Sequence, residues 1–347
     1  LLQMIVVPLI VSTLVVGAAG ISPARLGRVG LKTVGFFLLT TACAVVIGLA
    51  MGNAFRPGAG MALAADGEYA ADVTPPSLLS TFIEIVPTNP FESVTEGRML
   101  PIIFFSILFG IGLSYLQVSD DDRIRSSASV LFQVFTATAE VMYLIVGWVL
   151  QYAPIGVFAL IAVVFGTQGA TAFGPLATVT IAVYLGLAVQ LLLVYGGLLA
   201  INKLSLLRFL AGAREAMITA FVSRSSGGTL PVTMRNAEEN LGISRAVHGF
   251  ALPLGATINM NGTAIYQGVC VLFIGFAINM PLPFTSQVTI IVTAVLASIG
   301  TAGVPGSGTI MLLIVLDSVG LPVLEGTPVA LAYAMVPDPM AWMLFRL

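Results

Sequence analysis

The sequence predicts an all-α polytopic membrane protein whose second half holds segments interrupted at their middles by small and polar residues. Three observations carry this. The 347 residues are 58% hydrophobic and only 9% charged, with a mean hydropathy of +1.03, whereas a soluble domain carries about a quarter charged residues. Apolar runs long enough to cross a bilayer, roughly 20 residues as a helix, recur along the chain. Three of the later runs are interrupted at their middles by Gly, Ser, Thr, Asn and Pro.

The early spans are the simplest. Apolar runs predict helices at 3–19, 33–54, 100–118, 129–167 and 174–201. The fourth is too long for one crossing and contains "YAPIG", where Pro154 is expected to end or kink the helix. Between the second and third spans lies a polar loop, "RPGAGMALAADGEYAADVTPPS", followed by "IVPTNPFESVTEGRML", which reads as a broken or re-entrant connection. Arg25, Arg28 and Lys32, then Arg123 and Arg125, then Lys203, Arg208 and Arg214 mark cytoplasmic loops. The loop with Asp66, Glu68 and Asp72 is external under the same rule.

The net charge of −2 gives no electrostatic footprint for nucleic acid, and none is expected as a partner. Cys43 and Cys270 lie in apolar runs and read as packing residues, with neither disulfide nor metal spacing. The first and last residues, Leu1 and Leu347, fall within apolar stretches, so the sequence reads as cut from a larger protein at both ends.

From about residue 205 the pattern changes. Segments at 210–235, 246–278 and 288–316 are broken by "SRSSGGTLP", "GATINMNGT" and "SIGTAGVPGSGT", and a last segment runs from 328 to 347. Each break gives up helical hydrogen bonds, which backbone facing lipid cannot do without, so the breaks must be buried in protein or line an aqueous site. The first and third share one plan: apolar arm, Gly/Ser/Thr/Pro tip, apolar arm. Paired interrupted segments point to a secondary transporter with inverted repeats. Helix-end amides suit an anionic substrate there, and freed carbonyls suit a cation.

At "SPARLGRVG", "IVPTNPF", "LPIIFF", "YAPIGVFALIA", "SRSSGGTLPVTMR", "LPLGATINMNGTAIYQGV" and "TAVLASIGTAGVPGSGTIML" the chain resembles the dicarboxylate/amino acid:cation symporters, the glutamate transporter family. It is most similar there to archaeal aspartate transporters. The resemblance implies the glutamate-transporter fold in the plasma membrane, a homotrimer, and elevator-like symport of an acidic amino acid or dicarboxylate with sodium. It also implies a division of the chain. Residues 1–200 would form mainly the scaffold, with 33–54 contributing to the transport domain. Residues 201–347 would form the transport core: first hairpin 205–240, broken helix 246–280, second hairpin 286–322 and a shortened last helix 328–347.

Site residues follow from the same resemblance. Arg224, Ser225 and Ser226 match the first hairpin tip that contacts the substrate carboxylate, and Gly227 stands where the family has a third serine. An arginine at membrane depth costs roughly 2.5 kcal/mol or more, so Arg224 must face water, substrate or an acid. Thr263 would contact the substrate, and Val304 and Gly308 would close over it. Gly255 and Asn259 resemble one sodium site; Thr257 with Ser298, Ile299 and Thr301 resembles another. Carbonyl and hydroxyl oxygens are the hard ligands such an ion prefers.

Two departures stand out. The family motif is Asn-Met-Asp-Gly-Thr, and this chain has Asn261 at the aspartate position. The deeper sodium implied at Phe37, Thr40, Thr41 and Asn261 is therefore expected to be weakened or lost, because a cation in low dielectric needs a countercharge. The tail "VPDPMAWMLFRL" also departs: Asp338 and Arg346 echo the family's last helix, but no ungapped alignment puts both in register, and Trp342 has no counterpart. A polypeptide ending there would lack half the substrate site and is expected not to transport.

Rival readings are weaker. A serine hydrolase on Ser225 or Ser226 needs a base within hydrogen-bond reach, yet Lys32 and Lys203 lie in loops and His248 reads as a cap or interface residue. No enzyme activity is expected. A channel built on the same carbonyl-rich tips, or a neutral amino acid symporter of the same family, are the alternatives. Glu140 and Asp317 read as solvated boundary acids.

Overall fold

The computed structural model describes residues 2–20, 31–61, 86–96, 99–169, 173–223, 225–280, 282–299, 307–321 and 323. Every regular element among them is helical. Helices α1 (Leu2–Ala19), α2 (Leu31–Phe55), α3 (Pro90–Glu96) and α4 (Met99–Gln117) are followed by the long α5 (Asp122–Gln168). Helix α6 (Phe173–Ile201) carries a π-helical turn at Gln190–Tyr195. Then come α7 (Leu206–Ser223), α8 (Ser226–Glu239), α9 (Arg245–Ile258), α10 (Asn261–Ala277), α11 (Phe284–Ile299) and α12 (Ser307–Asp317).

All five early apolar runs form helices. One expectation needs correction: α5 runs unbroken through Pro154 for 47 residues, about 70 Å at 1.5 Å per residue. Proline removes a single backbone donor, and ending the helix in lipid would strand several more groups. Asp121, the residue before α5, accepts the Arg123 N–H on its carboxylate at 2.9 Å, a side-chain cap for an otherwise unpaired first turn. The stretch read as a broken connection holds the short helix α3, which packs on α4.

The core is built round α10, buried on all sides except at Phe276. A helix that is apolar all round belongs in the interior. Its neighbours are α2, α6, α11 and α12. In lipid, helices associate through close van der Waals packing rather than by leaving water, so small residues set their distance. Gly48 and Gly52 supply them on α2, one turn apart. A Cβ on Gly48 would run into the Ile265 carbonyl, and one on Gly52 would lie 2.7 Å from Leu272. From the other side, a Cβ on Gly268 would lie 3.0 Å from the Val45 carbonyl oxygen. Glycines on both helices thus let the two backbones touch.

Helix α6, expected among the scaffold spans, packs on α2 and α10 through Val179, Ala182, Val183, Gly186 and Leu187. A second cluster joins α1 (Leu9, Ile10, Leu14) and α4 (Ile102, Ile103) to Ala297 of α11 and Ile314 of α12. Large apolar side chains such as Leu39, Val130, Leu193 and Phe284 remain exposed, as they do on helices that face lipid. By length and composition, three helical stretches among the described residues can cross a membrane: Lys32–Phe55, Phe173–Ile201 and Val247–Ala277.

Candidate functional site

The first hairpin pairs α7 with α8. Its tip is a helix N-terminus: Ser225 is extended (φ −136°, ψ 117°), and its Oγ accepts the Gly228 N–H at 3.1 Å. Serine there satisfies one of the four donors that every helix start leaves free. Ser226, one residue on, is buried, and its Oγ has no hydrogen-bond partner among the described residues. The arms are tied by an ion pair between Arg235 and Glu215 at 2.5 Å. His248 of α9 lies 3.5 Å from Glu238 of α8, so the sole histidine sits at the interface between hairpin and broken helix.

The broken helix parts where the sequence marks it. Helix α9 ends at Ile258, and Asn259 (φ −106°, ψ 75°) and Met260 (φ −106°, ψ 60°) leave helical geometry before α10 begins at Asn261. The break leaves the last carbonyls of α9 and the first amides of α10 without helical partners. Gly255, one turn before it, lies against the Phe37 ring; a Cβ there would be 3.1 Å from Phe37 Cζ.

These pieces enclose a cavity of about 120 Å³. Phe37, Ser226, Thr229, Thr233, Gly255 and Asn259 are among its lining residues. Three predicted elements therefore share one space: the hairpin tip, the break and α2. Beneath it, the Thr40 hydroxyl donates to Asn259 Oδ1 at 3.3 Å and the Thr41 hydroxyl to Asn261 Oδ1 at 2.8 Å. Thr40, Thr41 and Asn261 are buried.

Other predicted residues are placed less fully. Thr263 is buried in the first turn of α10 and Gly308 in the first turn of α12. Ser298 is buried near the end of α11, its hydroxyl donating to the Val295 carbonyl at 2.7 Å. Arg224, Thr301 and Val304 lie outside the described residues, as do the side chains of Thr257 and Ile299 and the tail with Asp338 and Arg346. Glu140 and Asp317 are exposed on the surfaces of their helices.

Sequence reasoning missed two polar residues of α6. Tyr195 accepts from Asn261 Nδ2 at 2.6 Å, and Gln190 Nε2 donates to the Thr40 carbonyl at 3.2 Å. Their signal was a glutamine and a tyrosine in an otherwise apolar span. A regular α-helix would turn them about 140° apart, so nothing in the α-helical period links them.

The model of the sodium:dicarboxylate symporter family matches residues 1–344. A proton/sodium-glutamate symport protein of Geobacillus stearothermophilus is 34% identical over 332 residues, covering 93% of this chain and 77% of that protein. A proton/glutamate-aspartate symporter of Escherichia coli is 35% identical over 337 residues, covering 94% of this chain and 75% of that protein. Neutral amino acid transporter B(0) of Homo sapiens is 32% identical over 360 residues, covering 93% and 65%.

Proposed function

The chain belongs to the sodium:dicarboxylate symporter family, and on that premise we propose that it carries aspartate or glutamate into the cell together with sodium. It is a multi-pass protein of the plasma membrane and a secondary transporter, not an enzyme. The observation that carries the proposal is the shared cavity between the Ser225-capped hairpin tip and the break at Asn259. A helix N-terminus favours an anion, and a broken helix frees carbonyls for a cation.

In this reading Arg224, Ser225, Ser226 and Thr263 meet the substrate, with Val304 and Gly308 closing the second hairpin over it. Sodium is co-transported cargo, held by oxygens at Gly255 and Asn259 and by Thr257, Ser298, Ile299 and Thr301. The working unit is a homotrimer whose hairpins and broken helix move together past the scaffold as an elevator. Support comes from relatives named as glutamate and glutamate-aspartate symporters.

The test is uptake of labelled aspartate by proteoliposomes under an inward sodium gradient, with a proton gradient as a second arm, since the bacterial relatives carry proton in their names. Saturable, sodium-driven uptake is expected. Uptake driven by protons alone would remove sodium from the proposal, and ion conduction without substrate flux would favour a channel. The human relative is named as a neutral amino acid transporter, so alanine and serine serve as competitors, and stronger competition by them than by glutamate would change the substrate class.

A further inference from the structure

We infer that the Thr40–Thr41–Asn259–Asn261 set, where the family resemblance implies a deep cation, holds no ion and is closed instead by a neutral hydrogen-bond network that Tyr195 completes. The inference rests on the symport reading and concerns how many sodium ions accompany the substrate.

The geometry speaks against an ion in two ways. Asn261 is fully buried, and both ends of its amide are engaged: Oδ1 accepts from Thr41 at 2.8 Å and Nδ2 donates to the Tyr195 hydroxyl at 2.6 Å. The neighbouring groups are tied in more loosely: the Thr40 hydroxyl is shared between the Phe36 and Phe37 carbonyls at 3.0 and 3.1 Å and Asn259 Oδ1 at 3.3 Å, and the Thr40 carbonyl accepts from Gln190, whose own Oε1 is buried without a partner among the described residues. The charge is also missing. Thr40, Thr41, Asn259, Asn261, Gln190 and Tyr195 are all neutral side chains, and Asn261 stands where the family motif has its one carboxylate. A cation moved from water into that shell loses its hydration and gains no countercharge. The residues present supply oxygens but do not fit an ion.

Tyr195 closes the network because of the π-helical turn. The Gly196 N–H reaches back to the Leu191 carbonyl, five residues away. A turn of that width lets Gln190 and Tyr195, also five apart, both face α2 and α10. Single π turns of this kind gather at functional positions. Here the turn delivers a hydroxyl to the Asn261 amide nitrogen, the atom that an acid at this position would lack.

The experiment uses the purified full-length protein in detergent and reads two quantities against sodium concentration: aspartate affinity, and the thermal unfolding midpoint without aspartate. Asn261→Asp restores a carboxylate and is expected to gain one sodium. A tenfold rise in sodium then tightens its aspartate binding about tenfold more than it tightens that of the native protein. Its midpoint also rises more steeply with sodium than that of the native protein, by the contribution of one further bound ion. An Asn261→Asp protein with the sodium dependence of the native one overturns the inference. Asn261→Ser, which stays neutral, guards against misfolding of the acid variant. It is expected to keep the native sodium dependence, and a loss of one sodium from its aspartate binding would show that Asn261 ligates an ion, which also overturns the inference. The symport reading fails separately, if native aspartate binding ignores sodium; the midpoint of Asn261→Asp still decides the inference in that case.

Discussion

The Thr41 hydroxyl donates to the Asn261 side-chain oxygen across 2.8 Å, joining two helices that are 220 residues apart in sequence and buried at the point of contact. Replacing Thr41 with Val keeps the shape and removes the donor. The Asn261 oxygen is then left buried and unpaired, which costs about 1–3 kcal/mol. We expect a lower unfolding midpoint for Thr41→Val in detergent. A midpoint equal to the native one would mean that this bond does not hold α2 to α10.

Close packing of the same two helices gives a second expectation. A Cβ on Gly48 meets backbone, the Ile265 carbonyl, rather than a flexible side chain that could turn away. Gly48→Ala should therefore destabilise the protein by about 1–3 kcal/mol as α2 is pushed off α10. Gly112→Ala on α4 is the control, because nothing lies within 4 Å of its Cβ position. Comparing the two by thermal unfolding separates a packing clash from a general effect of alanine.

The helical plan was largely written in the sequence. Hydrophobic runs gave the spans, because lipid imposes a length and forbids exposed backbone. The break at Asn259 was legible for the same reason, as polar residues inside an apolar run need an interior. What was not legible depended on contacts between segments distant in sequence. Helix α6 reads as an ordinary span, yet Gly186 and Ala182 fit it against α2 and α10. Tyr195 joins the site only through a π turn, and no α-helical wheel shows that. Pro154 does not end the helix, the first of the two outcomes expected of it, because the cost of broken bonds in lipid keeps the helix continuous.

The two tip serines are chemically alike but should respond differently to alanine. Ser225 caps α8, so Ser225→Ala is expected to lose about 1 kcal/mol of stability. Ser226 Oγ is buried with no partner among the described residues, so Ser226→Ala removes nothing that the fold uses. Its stability should hold or rise slightly. If that hydroxyl is kept for the substrate carboxylate, aspartate affinity falls roughly 10–100-fold, the loss of a hydrogen bond to a charged group. Calorimetry for stability and titration for affinity, run on both variants, reads the contrast. Unchanged affinity in Ser226→Ala would take that residue out of the binding site.

Phe37 and Gly255 lie against each other in the cavity wall and should be coupled. A Cβ at 255 would come within 3.1 Å of Phe37 Cζ, so the larger side chain of Gly255→Val must displace the ring or the helix end beside it. Because Asn259 N–H bonds the Gly255 carbonyl at 2.9 Å, a shift at 255 carries into the break. The expected result is a drop in aspartate affinity of about tenfold or more, with a weaker sodium dependence. Phe37→Leu shortens the opposing side chain. Combined with Gly255→Val it should recover part of the loss, giving an interaction energy of about 0.5–3 kcal/mol in a double-mutant cycle. Strict additivity of the two substitutions would show that the ring and the glycine act independently, and that the narrow wall they form does not shape the site.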